Sequence, residues 1–166
     1  IACCATCSSR RSTGRERADA FRQAVAGHGL AIPARSVRVC ASYTEAAGLE
    51  MTRRLLASGT SGCTAIVAAN DLIALGVVAA LTEKNLRCPD DVSVIGFNDL
   101  PLVDRLTPPM TTIRLPLHEL GEVAAQTLLK QMMSPHPWGA PVSTLLGIEL
   151  AIRGTTAPAA EVRRTG

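Results

Sequence analysis

Apolar positions along this chain change period repeatedly, from short unbroken runs to stretches where apolar residues recur every three or four positions. The first spacing suits strands buried on both faces, and the second suits helices with one apolar stripe. Residues 1–5 read as a first strand, and residues 14–26 as a helix in which Ala18, Phe21 and Val25 share a face. Thr13 and Glu16 have capping-box spacing at its start, and Gly27 or Gly29 can end it. Residues 36–40 (SVRVC) suit a second strand, and Ser42 with Glu45 makes another capping-box pair ahead of a helix carrying Ala47, Met51 and Leu55. The pattern then repeats, with TAIVAA (64–69) as a buried strand before a helix over 72–84, and VSVIGF (92–97) as another strand after the Pro89-Asp90 turn. Such alternation predicts an α/β fold, with βαβ units building a parallel sheet flanked by helices.

Beyond Asp99 the alternation weakens. A turn-rich piece reaches Pro108-Pro109, residues 110–115 are extended, and Pro116 suits the first turn of a helix running to about residue 132. SPHPWGAP (134–141) is a loop by composition, residues 144–152 read as a last strand, and residues 157–166 as a loose tail.

Composition narrows the class. With 47% hydrophobic and 19% charged residues the chain is expected to pack into a globule, and with 2% aromatics its core must be aliphatic. Lys and Arg number 17 against 14 Asp and Glu, an excess too small to predict nucleic-acid binding by itself. No apolar run approaches the roughly 20 residues that span a bilayer, and the first residues lack the order of a signal peptide. The sequence begins at Ile1 and reads as a piece of a longer protein. Its six cysteines, Cys3, Cys4, Cys7, Cys40, Cys63 and Cys88, are expected to be reduced thiols in a cytoplasmic protein. Cys4 and Cys7 form a CxxC, but no second pair follows at zinc-finger spacing and the predicted helix starts too late to activate Cys4. Small strand and cleft-rim residues are the expected reading, with no metal and no disulfide.

Open parallel α/β sheets bind ligands beyond the carboxyl ends of their strands. The residues that follow the predicted strands include Arg15, Tyr43, Asn70 and Asn98, a set suited to a polyhydroxylated or heterocyclic small molecule. Each has a plainer alternative: a solvated arginine, a packing tyrosine, and helix caps or turn formers for the asparagines. His28, His118 and His136 are scattered, and no GxGxxG or P-loop pattern follows any strand. No catalytic residue, no cofactor and no enzyme activity is expected.

The segment TAIVAANDLIALGVVAALTEKNLRCPDDVSVIGFNDLPLVDRLTPPMTTIRLPLHELGEVAAQTLL resembles the effector-binding domain of the bacterial lactose/galactose-repressor (LacI-GalR type) family. The ending Glu149 to Thr156 and the weaker STGRERADAF extend the likeness over about residues 1–158. The resemblance implies a periplasmic-binding-protein-like fold of two α/β lobes around an effector. Residues 1–113 would belong to the C-terminal lobe, residues 114–143 to an excursion into the N-terminal lobe, and residues 144–156 to a strand returning from it. It also implies a transcription repressor that senses a sugar or sugar derivative through Arg15, Tyr43, Asn70 and Asn98, the last standing where many members have aspartate. Ala20 replaces a frequent glycine, an expected packing change. Leu75, Val78 and Leu106 would lie in a homodimer interface, core packing being the alternative for Val78, and DNA would be contacted only through a head outside this sequence. An exported sugar-binding protein of a transporter, which shares the fold, is the competing reading.

Overall fold

Apolar runs become strands and amphipathic stretches become helices in the computed structural model, which describes residues 2–6, 12–30, 36–58, 63–134 and 143–158. In chain order the elements are β1 (Ala2–Thr6), α1 (Ser12–Gly27), β2 (Val37–Val39), α2 (Glu45–Ala57), β3 (Ala65–Ala68), α3 (Asp71–Glu83), β4 (Ser93–Asn98), β5 (Thr111–Arg114), α4 (Leu117–Met133) and β6 (Glu149–Ala151). A short 3-10 turn at Val103–Arg105 replaces a helix between β4 and β5.

The strands form one sheet in the order β2-β1-β3-β4-β5-β6, parallel throughout except for the antiparallel pair β5 and β6. From β1 the chain moves outward to β2, then crosses back over β1 to β3. Right-handed crossovers make that reversal a change of face, with α1 on one side of the sheet and α2 and α3 on the other. The switch point therefore falls where β1 and β3 end.

The core lies under α2 and α3. Ile66 and Ala68 of β3 and Val94 of β4 alternate with half-buried neighbours and meet Met51, Leu55, Ile73, Val77 and Leu81, all nearly or wholly buried. Glycines let the two helices approach at backbone distance. A Cβ on Gly76 would strike the Glu45 carbonyl and the Leu49 amide, and one on Gly48 would strike the Ile73 carbonyl.

Several boundaries differ from expectation. Helix α1 starts at Ser12, so Thr13 lies within it. Helix α2 is capped by Thr44, whose Oγ1 accepts from the Ala47 amide at 3.3 Å, while Ser42 sits 2.9 Å from that hydroxyl. The last strand is three residues long because β5 offers it only Thr112 to Arg114 as partners. Ala20 is exposed, so its side chain plays no part in packing.

Cys40 is buried, and Cys63 and Cys88 are half-buried. Burial pushes the Cys88 thiol up to about 11, so it stays protonated. The readings of Cys7, of the Cys3 and Cys4 side chains and of residues 159–166 lie outside the described residues. Among the described residues no helix is long and apolar enough to cross a membrane. Nor does any group of three His, Cys, Asp or Glu there have the arrangement of a metal site.

Helix α4 stands apart from this core. None of its residues is buried, and Leu120, Leu128, Leu129, Met132 and Met133 are exposed.

Candidate ligand site

Arg17 ties together two of the ends of the parallel strands. Arg17 shares a helical stripe with Phe21 four residues on, so its aliphatic stem lies along the sheet-facing side of α1 while its head reaches the strand ends. Nη1 donates to the Ala69 carbonyl at 2.6 Å, just past β3. Its Cζ stands 3.8 Å from the centroid of the Phe97 ring on β4, a cation–π contact.

Asn70 follows Ala69 and caps α3. Its Oδ1 accepts from the Ile73 amide at 2.8 Å, and its Nδ2 donates to the Tyr43 carbonyl at 3.3 Å. The cap therefore also fixes the loop that presents Tyr43, whose side chain is partly exposed. Asp71 is wholly buried in the first turn of α3, accepting from the Thr112 hydroxyl at 2.6 Å and from the Leu100 amide at 2.7 Å. A Cβ on Gly96 would strike that carboxylate, so β4 needs glycine there to let it in.

Asn98 and Asp99 end β4 with φ of 120° and 57°. Left-handed backbone is costly for most side chains and best tolerated by Asn and Asp among non-glycine residues, which explains the residue types at this sharp exit. The Asn98 amide has no side-chain hydrogen-bond partner among the described residues. Asp99 turns the other way. Its carboxylate meets Arg153 at 2.8 Å and Arg114 at 2.7 Å, and these guanidinium groups, Arg153 foremost, hold its carboxyl below the usual range. Arg114 also reaches Glu149 at 3.0 Å, so β4, β5 and β6 are joined by one ionic network.

Of the four site residues expected from sequence, the structure brings Tyr43, Asn70 and Asn98 to these strand ends. Arg15 lies elsewhere: two residues from Arg17 is about 200° around a helix, and Arg15 lines an open groove with Asp19, Arg22, Val37 and Val39 at the β2 edge. Arg17, which the sequence reading did not single out, is the arginine that reaches the ends of β3 and β4. Its spacing from Ala18 and Phe21, on the very stripe expected to face the sheet, was the available signal. Leu75, Val78 and Leu106 are half-buried and packed against the core, with more exposed Leu72 and Leu102 in the same two segments.

Residues 1–156 match the family model of the periplasmic binding protein-like domain. The chain is 43% identical over 98 residues to the HTH-type transcriptional regulator MalR of Streptomyces coelicolor, an alignment spanning 58% of this chain and 28% of that regulator. A LacI-family transcriptional regulator from Enterococcus faecium with bound ribose superposes with a TM-score of 0.79 at 25% identity, covering 95% of this chain and 57% of the other. The lac repressor dimer bound to operator and an anti-inducer superposes with a TM-score of 0.80 at 27% identity, covering 93% and 51%. This chain thus spans about half the length of those solved structures and less of the curated relative. With the family match extending through both β5 and β6, the chain belongs to the periplasmic binding protein-like domain family, in the form carried by LacI-family transcriptional regulators.

Proposed function

We propose that this chain is the sensing lobe of a cytoplasmic, DNA-binding transcription regulator, in which a sugar or sugar derivative sets operator affinity. The observation that carries this reading is the bridge made by Arg17 between the ends of β3 and β4, beside the unengaged amide of Asn98. It supplies a fixed donor at the place where this sheet topology takes its ligands. Asn98 contributes an adaptable donor and acceptor, Tyr43 a ring edge or face, and Asn70 holds the Tyr43 loop in place.

Residues 1–113 and 144–156 form this lobe, and residues 114–143, with the unburied α4, extend to a second lobe that closes over the ligand. Leu75, Val78 and Leu106, with Leu72 and Leu102 around them, form the contact with a second copy. Pairing would let a change of lobe angle alter the spacing of two DNA-binding heads. Operator-bound and ribose-bound relatives of the same architecture support this role. The chain acts by binding, without catalysis.

A thermal-shift screen of the full chain against sugars, sugar acids and sugar phosphates tests the reading, since a specific ligand raises the melting temperature by mass action. Arg17→Ala is expected to remove the shift, and Arg15→Ala to retain it. A shift lost only in Arg15→Ala would return the role to Arg15, and no shift with any sugar derivative would refute sugar sensing.

A further inference from the structure

The charges around Arg17 restrict what the site accepts. Its guanidinium makes one hydrogen bond, to a carbonyl, and stacks on a ring, and among the described residues no carboxylate lies within ion-pairing range of it. The carboxylates that follow β3 and β4, and the one on β6, are already engaged. Asp99 is held between Arg153 and Arg114, Glu149 pairs with Arg114, and Asp71 is wholly buried on Thr112 and the Leu100 amide. Asn98, one residue beyond the ring under Arg17, ends in a neutral amide.

Hydroxyl groups of a neutral sugar donate as well as accept, and ionised carboxylates are the strongest acceptors a protein offers them. The β3 and β4 ends keep their carboxylates for themselves and present a half-buried cation instead. A charge partly removed from water is best satisfied by an opposite one. We infer that the effector is an anionic sugar derivative, a sugar phosphate or a sugar acid, with its charged oxygens against Arg17. This rests on the sensing function proposed above and narrows it to a ligand class.

Calorimetric titration of the full chain with ribose, glucose and cellobiose, and with ribose 5-phosphate, glucose 6-phosphate and gluconate, tests the inference. Binding is expected only among the charged probes, with the phosphate and carboxylate arms telling which oxyanion is read. Asn98→Asp, which places a carboxylate beside the site, should weaken that binding by roughly tenfold or more, the scale of one charge-assisted hydrogen bond. Arg17→Gln, neutral but still able to donate, should abolish it. A neutral sugar that binds as tightly as its charged counterpart, or an Asn98→Asp variant with unchanged affinity for the charged probe, overturns the inference and leaves sugar sensing standing. Silence from all six probes removes both.

Discussion

Asp99 holds two arginines on one carboxylate while its own backbone sits in the left-handed region. The carboxylate is mostly buried, with 12% of its side chain exposed, whereas Arg114 is nearly half exposed, so the Arg153 contact is the stronger. Removing the acid leaves Arg153, only 17% exposed, without its counter-ion. Asp99→Ala is expected to destabilise the fold by about 2–3 kcal/mol in urea unfolding. Because the folded carboxyl titrates below its unfolded value, this stabilisation is complete above the unfolded value, shrinks as pH falls below it and is lost once pH passes the folded value. The gap between wild type and Asp99→Asn should therefore narrow as pH is lowered from 7 into the acid range, and a gap constant with pH would refute the assignment. The neighbouring arginine shows what sequence could not deliver by strand position alone. Arg15 is expected as a ligand contact from its place after the first strand and from the family resemblance, and the two-residue step to Arg17 changes which side of α1 is presented. Asn70 was legible both as a polar group at a strand end and as a cap, and its hydrogen bonds show the second use directly.

Helices α2 and α3 meet through Gly48 and Gly76, each facing backbone of the other helix. Backbone cannot change rotamer, so an added side chain must push the helices apart and open the core around Ile73 and Val77. Gly76→Val is expected to cost about 3 kcal/mol, at the upper end for overpacking. Gly121→Ala, in α4 with open space around it, should be neutral or stabilising by up to about 1 kcal/mol, and urea midpoints of the two variants check the contrast. Strand and helix identities were readable from apolar spacing because each parallel strand is covered on its own terms. Register and caps were less so. Ser42 and Thr44 both precede the same helix, and the choice between them depends on where the first turn closes. The ninefold run read as a last strand became three residues because pairing needs a neighbour, which no single sequence window contains.

At the scale of the whole molecule, apolar surface is divided unequally. The α2 and α3 side of the sheet is closed, whereas α4 and the segment after it expose Leu128, Leu129, Met132, Met133, Leu145 and Ile148. An uncovered patch of this kind favours association. The 166-residue chain expressed alone should therefore show concentration-dependent self-association by light scattering, and Leu128→Lys with Met132→Lys should reduce it while leaving the urea midpoint within about 0.5 kcal/mol. Unchanged association in the double variant would place the contact elsewhere, on the Leu75 and Leu106 side. The antiparallel pair of β5 and β6 has a mechanical meaning as well. Chain leaves the sheet along one strand and returns along the other, so in the two-lobe arrangement proposed above α4 would act as a lever whose fulcrum is the Arg114 and Arg153 grip on Asp99. Seventeen helical residues make an arm about 25 Å long. A rotation of roughly 10° at the fulcrum, within the range of known subunit rotations, carries the far tip about 4 Å. One carboxylate next to Asn98 thus sits where a small angular change has its largest reach.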